Sequence, residues 1–184
     1  MKFLRTALGS AAVSHPAIDL QTSFTAAAQA AGLIKAGQQF DPFANENNFL
    51  LGAFIFEDVG VTAYKGAAPL ITNKTYLEAA AGILAVEAYH AGTIRSALFT
   101  KGLATPANAI SKARDSLDGP TDLDQSISRD GSMVNVTPTD ANGIAFSRSP
   151  GQVLNVVYLT PKKATKGGFF PAGVNGDVKT SAGR

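Results

Sequence analysis

The sequence predicts a mainly α-helical protein organised around one pair of long helices, and three observations support this fold class. Residues 46–68 and 76–100 place apolar side chains three and four positions apart, which is the spacing of a helix face. Capping residues, glycines and prolines stand at the ends of both segments. Residues 117–145 are polar and lack a sustained periodicity, and the chain after Pro161 is rich in glycine and lysine. We therefore expect a helical bundle followed by a loop-rich C-terminal extension.

The first predicted elements are short. Gly9 and Ser10 end an opening helix, and an irregular turn surrounds Pro16. An alanine-rich helix over residues 22–31 follows and ends at Gly32. These elements precede the long pair.

Both long helices have recognisable ends. Asn45 is a suitable N-cap for the first helix, which Pro69 ends. Thr75 and Glu78 form a capping box that opens the second helix, which ends near residues 101–102. Glu78 is therefore expected to act as a cap rather than as a ligand.

The C-terminal part is expected to be less regular. Thr105 and Pro106 start a shorter helix that runs to about Ser116, with Pro106 at its first helical position, and residues 117–145 form a surface loop. A final helix over residues 149–159 opens with a capping box. The aromatic pair at residues 169–170 is expected to pack against the bundle.

Glu57, Glu87 and His90 are the candidate site residues. Glu87 and His90 lie three positions apart on the second long helix and so share one face, while Glu57 lies on the apolar stripe of the first. A buried carboxylate is costly unless it is paired or bound to a metal. Glu-x-x-His on an inward face is the spacing of di-metal carboxylate sites in helix bundles. The pattern predicts a metal site, with Asp58 pointing away from it.

A structural explanation of the same residues stays open. His90 can bond to a neighbour in the core, and Glu57 can bond to Tyr64, Tyr89 or His90 without any metal. Such a pair would still be costly to break, because the remaining partner would be a buried unpaired group.

Four longer segments are more specific than the short motif. Residues 56–70 and 76–92, together with residues 146–158 and 167–176, resemble the ferritin-like family of desiccation-related proteins. The resemblance extends over nearly the whole chain. It implies a four-helix bundle whose full ligand set is a Glu, a Glu-x-x-His, another Glu and another Glu-x-x-His.

Only the second half of that ligand set is present in this sequence. Residues 1–10 resemble the last turns of the family's second helix, so the first helix and most of the second are missing, as in an N-terminally shortened chain. The resemblance implies that Glu57, Glu87 and His90 are metal ligands, with Fe or Mn as the metal. A homodimer joined through the exposed apolar face of the helix pair would supply four carboxylates and two imidazoles.

Composition argues against several other classes. The net charge of +2 is too small to favour nucleic acid as a partner, and the absence of cysteine excludes disulfides and thiolate chemistry. The apolar run at residues 49–56 is too short to span a membrane, and no signal peptide is recognisable, which leaves the compartment open. Motifs for a serine hydrolase or a nucleotide cofactor are missing.

The sequence therefore predicts two parts, a ferritin-like helical domain at residues 1–104 and a C-terminal extension at residues 105–184. The predicted function is that of a stress-associated ferritin-like protein with half of a di-metal site. Two alternatives stay open: a structural or protective interaction protein without metal, and a di-iron or di-manganese oxidase completed by homodimerisation. The three differ in whether the chain is an enzyme.

Overall fold

The computed structural model describes residues 2–183, and its regular structure is helical, as predicted. Apart from one isolated bridge between Gly167 and Phe170, this range contains no β-structure. None of the helices in the described range is long and apolar enough to cross a membrane. The α-helices of the described range are α1 (Lys2–Leu8), α2 (Thr22–Ala30), α3 (Glu46–Ala67), α4 (Lys74–Thr100), α5 (Ala104–Asp115) and α6 (Pro150–Val157).

The ends of α3 agree with the prediction. The side chain of Asn45 accepts a hydrogen bond from the backbone N–H of Asn48, which satisfies one of the free donors of the first turn. At the other end, Ala67 is the last α-helical residue, and a short 3-10 turn that contains Pro69 follows.

The predicted capping box of α4 is wrong. The helix begins one residue before Thr75, and the side chain of Asn73 accepts hydrogen bonds from the backbone N–H groups of Thr75 and Tyr76. Because Asn73 satisfies these donors, the cap does not use Glu78, which is exposed on the first turns. The other end is as predicted, with Gly102 in the left-handed region at a φ of 72°.

The buried face of α3 differs from the predicted one. Asp58 points away from the Glu57 stripe, as expected, but the C-terminal extension buries the Asp58 side more deeply. Within residues 2–183 the Glu57 side is open to solvent. On α4, Val86 and Tyr89 are 48% and 75% exposed. The buried residues of α3 are Leu51, Gly52, Phe54, Ile55, Asp58, Val59 and Thr62.

The C-terminal extension shares a core with the long helix pair. Phe169 is almost fully buried, and its ring lies edge-to-face at 5.0 Å from Phe24 and 4.7 Å from Phe56. The predicted packing of the aromatic pair is therefore confirmed for Phe169. The buried residues of this core are Phe24, Ala27, Leu51, Phe54, Ile55, Leu98, Ala107, Ile110, Ile127 and Phe169.

Three predictions about the extension have different outcomes. The helix α5 begins earlier than predicted, so that Pro106 is its third residue rather than its first. Residues 117–145 lack regular structure, but they are not only a surface loop, because Ile127 is fully buried within them. The capping box of α6 is confirmed, with reciprocal hydrogen bonds between Ser149 and Gln152.

Candidate metal centre

Glu57, Glu87 and His90 meet on the open side of the α3–α4 pair. The helices are antiparallel, because Glu57 faces His90 while Glu46 near the start of α3 faces Lys101 just after α4. The Nδ1 atom of His90 lies 3.1 Å from Oε2 of Glu57 and donates a hydrogen bond to it when Nδ1 carries the proton. The carboxyl of Glu87 lies close enough to Glu57 for the charge of Glu57 to raise its pKa. The structure therefore places the three predicted site residues beside one another, although their ligand atoms do not all lie within the 4.8 Å of a compact ligand group.

A glycine on α3 makes room for Glu87. A Cβ atom at Gly60 would lie 2.3 Å from Oε2 and 2.8 Å from Cδ of Glu87, closer than real Cβ contacts allow. Since Gly60 is three positions after Glu57, the Glu87 carboxyl lies against bare helix backbone beside the Glu57 side chain. In contrast, a Cβ at Gly82 of α4 would meet nothing within 4 Å.

The two carboxyls have an electrostatic cost in the absence of a cation. Burial and, after it, the charge of the neighbouring Glu57 together raise the pKa of Glu87 to about 7, against the opposing effect of His90. Burial also raises the pKa of Tyr64, with a smaller contribution from the charge of Glu87, which places the phenol in the electrostatic surroundings of the site.

The donor set fits one transition-metal ion. Carboxylate and imidazole groups are ligands that iron and manganese accept, and a cation would remove the repulsion between the two acids. The side chains of His90 and Glu57 are 57% and 25% exposed, so an ion can reach them from solvent. His15 lies in an exposed turn, where its Nδ1 is 2.9 Å from the carbonyl oxygen of Pro16, and adds no ligand. Three ligands do not suffice to bridge two ions.

The raised pKa of Glu87 gives a stability prediction. In the unfolded chain this carboxyl ionises near pH 4.5, and in the fold it ionises near pH 7, so its favourable contribution is complete below pH 4.5 and is lost as the pH rises through 7. Glu87→Gln removes the charge, and in metal-free buffer it should be more stable than the parent protein at pH 8 by about 1 kcal/mol, since solvent screens part of the repulsion. The two proteins should differ less at pH 5. Urea unfolding followed by circular dichroism measures this.

The exposed Glu78 on the same helix provides the matched control for that measurement. Glu78→Gln should leave the pH dependence of unfolding unchanged. Equal stability of Glu87→Gln and the parent protein at pH 8 would contradict the electrostatic account of the site.

A second cluster of charged groups lies on the opposite, buried side of α3, and the sequence analysis missed it. Asp58 accepts hydrogen bonds from Nε and Nη2 of Arg95 at 3.0 and 2.8 Å and from Nη2 of Arg114 at 2.8 Å. Burial raises the pKa of Asp58, but the two guanidinium groups outweigh it and hold the pKa below its usual value. Both guanidinium groups also lie over the ring of Phe54, at 5.4 and 4.6 Å from its centroid.

Arg148 continues this ionic network into the C-terminal extension. Its guanidinium donates to Asp118 and Asp124 and, at 2.8 Å, to the hydroxyl of Thr62. Nε of Arg114 lies 2.9 Å from Asp124 Oδ1 and so joins the two halves of the network. The sequence does contain a signal for Arg95, the residue of α4 in this network. Arg95 stands at helical spacing between Ala91 and Leu98, which are both buried. The network ties the extension to the helix pair, and within residues 2–183 no hydrogen bond or ion pair joins it to the side chains of Glu57, Glu87 or His90.

The fold and the site together define the class of protein. Two long antiparallel helices that present two carboxylates and a histidine to one another are the arrangement of a helix pair from a ferritin-like bundle. The chain belongs to the ferritin-like domain family, whose match covers residues 1–100.

Two curated relatives confirm the predicted resemblance to ferritin-like desiccation-related proteins. The chain is 30% identical to a desiccation-related protein of Craterostigma plantagineum over 74% of this chain and 49% of that protein. It is 26% identical to a ferritin-like catalase of Nesocodon mauritianus over 76% of this chain and 50% of that protein. The chain thus spans about half the length of these curated relatives. No solved structure gives a significant match.

Proposed function

We propose that this chain is a stress-associated ferritin-like protein with half of a di-metal carboxylate site, in which Glu57, Glu87 and His90 bind one iron or manganese ion. The observation that carries the proposal is the convergence of the three side chains, with Glu87 held against Gly60. The similarity to a desiccation-related protein supports the association with stress. The similarity to a ferritin-like catalase favours peroxide as the first oxidant to test.

Each residue has a separate role in this proposal. Glu57 lies between the other two side chains and orients His90 through their 3.1 Å contact. Glu87, whose pKa is about 7, releases a proton when the metal binds, so binding weakens below neutral pH. Bound iron or manganese would supply one-electron chemistry toward O₂ or peroxide.

Metal content with and without the ligands tests the proposal. Purified protein is loaded with Fe(II) under anaerobic conditions or with Mn(II), desalted and analysed for metal, beside Glu87→Ala/His90→Ala. The parent protein should retain about one ion per chain, and the double variant should retain almost none. Both side chains lie on the open side of the helix pair, so the variant should keep its helical circular dichroism. Equal metal in the two proteins, or none in the parent, would reject the site.

Gly60→Ala should weaken Mn(II) binding by about tenfold or more, because the new methyl group occupies the position of the Glu87 carboxyl. Glu87 can rotate away at low cost, so the helix should remain folded. Gly82→Ala is the matched control on α4, and it should leave Mn(II) affinity unchanged because its methyl group meets nothing. Isothermal titration calorimetry compares the three proteins, and equal affinities would show that the contact with Gly60 does not position Glu87.

A homodimer is the arrangement that would make this chain a complete oxidase. Two copies joined through the open side of α3 and α4 would place two sets of Glu57, Glu87 and His90 together, which gives the ligand number of a full di-metal site. The exposed Val86 and Tyr89 on this side would then be buried. Light scattering on the metal-loaded protein should give twice the monomer mass, and Tyr89→Glu should return it to the monomer mass. A monomer with bound metal would reject this arrangement but not the site itself.

The metal-free alternative also has an observation in its favour. The contact between His90 and Glu57 satisfies both groups without an ion. If the parent protein binds no metal, the pair is structural and the chain is a helical scaffold.

A further inference from the structure

An acidic cluster at the end of α5 contains carboxylate oxygens that the ionic network does not satisfy. It consists of Asp115, the last residue of α5, and Asp118 and Asp124 in the segment that follows. One oxygen from each of the three lies within 4.8 Å of the other two. The side chain of Asp118 is fully buried, yet its Oδ1 atom has no hydrogen-bond partner among residues 2–183. Oδ1 of Asp115 is also buried without a hydrogen-bond partner in that range.

A buried acceptor without a partner is unfavourable, so a positively charged group that bound these oxygens would be stabilised there. The arginines do not fill that role completely. Arg148 uses Oδ2 of Asp118 and Oδ2 of Asp124, and Arg114 lies beside Oδ1 of Asp124, which leaves the Oδ1 atoms of Asp115 and Asp118 unmatched.

The balance of charge around the acidic cluster is negative. Five aspartates lie in the cluster or next to it. The basic residues beside them are four, namely the three buried arginines of the network and one exposed lysine. The aspartates are Asp58, Asp115, Asp118, Asp122 and Asp124, and the basic residues are Arg95, Arg114, Arg148 and Lys112.

We propose that Asp115, Asp118 and Asp124 bind a hard divalent cation of the Ca²⁺ or Mg²⁺ type, at a site separate from the Glu57 site. The donors are all oxygens, which is the ligand set that these cations prefer. The Glu57 site differs because it includes the imidazole nitrogen of His90. The two sites therefore differ in the class of metal that they accept.

The acidic cluster is accessible from solvent on one side. Asp115 and Asp124 line a surface cavity of about 410 Å³ together with Asp122, Ser126 and the exposed Lys112, and Asp118 does not line it. The loop oxygens and waters of such a cavity can complete the six to eight ligands that Ca²⁺ takes.

The titration of the acids agrees with this geometry. Burial raises the pKa of Asp115, and the charges of Asp122 and Asp124 add to it. Burial likewise raises the pKa of Asp118, with Arg148 opposing and the other two acids of the cluster adding. A bound cation would reverse these unfavourable contributions.

The test uses the full chain carrying Glu87→Ala/His90→Ala, so that binding at the Glu57 site does not contribute. Metal-free protein is titrated with CaCl₂ and, separately, with MgCl₂ by calorimetry, and thermal unfolding is followed with each salt at matched ionic strength. Saturable binding of about one ion per chain and a higher Tm are expected. The stronger of the two responses identifies the cation.

Asp115→Asn should weaken that binding by about tenfold or more and abolish the rise in Tm, because it removes a charged ligand. Asp177→Asn is the matched control, since Asp177 is exposed and its substitution changes the charge by the same amount. Binding of neither cation, or equal binding by Asp115→Asn and the control, would overturn the proposal. A higher Tm for Asp115→Asn without any response to either cation would also overturn it and show that the acids share a proton instead.

Discussion

Arg148→Ala is expected to lower the free energy of unfolding at pH 7 by about 3–5 kcal/mol, one of the largest effects of any single substitution in this chain. The Arg148 side chain is fully buried, and it donates to Asp118, to Asp124 and to Thr62 Oγ1. Its removal leaves two buried carboxylates without their main counter-charge and a cavity beside them. Urea unfolding followed by circular dichroism gives the difference from the parent protein.

Two comparisons make this result specific to buried charge. Lys101→Ala breaks the pair with Glu46, whose side chains are 33% and 72% exposed, and should cost less than about 1 kcal/mol. Burial already raises the pKa of Asp118 while Arg148 opposes it, so in Arg148→Ala that pKa should rise further and the loss of stability should shrink as the pH falls toward 4. A loss that is independent of pH would indicate that Arg148 acts by packing alone.

The ionic network also bears on how the chain is divided. Asp58 and Thr62 belong to the long helix pair, whereas Arg114 and Arg148 belong to the C-terminal extension. Two polar pairs therefore cross residue 104, the ion pair of Arg114 with Asp58 and the hydrogen bond from Arg148 to Thr62. The two-part division at residue 104 stays a prediction. The pairs imply that the extension and the helix pair unfold together, because separating them would leave buried charges without partners.

Most helix positions followed from local sequence, because their ends depend on nearby residues. Asn45 and Pro69 define α3, and the capping box of Ser149 and Gln152 opens α6. The start of α4 differs from the prediction because two N-cap candidates stand two positions apart, and Asn73 rather than Thr75 is used. Each residue type is a good N-cap for the two or three N–H groups that follow it, so local sequence does not choose between them.

The buried face of α3 could not be read from apolar periodicity. Apolar residues occur on both sides of the helix, with Leu50 and Val61 on one side and Leu51 and Val59 on the other. The more deeply buried side of α3 is the one that carries Asp58. The partners of Asp58 are Arg95 and Arg114, which are 37 and 56 positions away in the sequence. No local pattern reports such distant pairs, and a charged residue read alone predicts exposure.

The candidate site was predicted in part. The spacing of Glu87 and His90 and the position of Glu57 are local facts, and the structure places the three beside one another. The role of Gly60 depends on how closely α3 approaches the Glu87 side chain, which only the packed pair of helices reveals. Whether these residues bind metal stays a prediction.

Gly66→Ala is expected to destabilise the protein by about 3 kcal/mol, the upper part of the range for overpacking. A Cβ at Gly66 would lie 2.0 Å from the carbonyl oxygen and 2.9 Å from the carbonyl carbon of Arg148, and both are backbone atoms that cannot rotate away. The Arg148 N–H donates to the Thr62 carbonyl oxygen at 3.0 Å, so a shift that relieves the clash also strains this hydrogen bond. Thermal and urea unfolding measure the effect.

The sign of this effect separates packing from helix propensity. Alanine normally stabilises a helix interior by about 1 kcal/mol relative to glycine, and Gly82→Ala, which meets no neighbour, should show that gain. Gly66→Ala should reverse it, because the contact with residues 146–149 fixes the backbone on both sides. Its cost should also fall when it is combined with Arg148→Ala, since the anchored segment is then already loosened. Equal gains from both alanines would contradict the close approach of the C-terminal extension to α3, on which the burial of the ionic network depends.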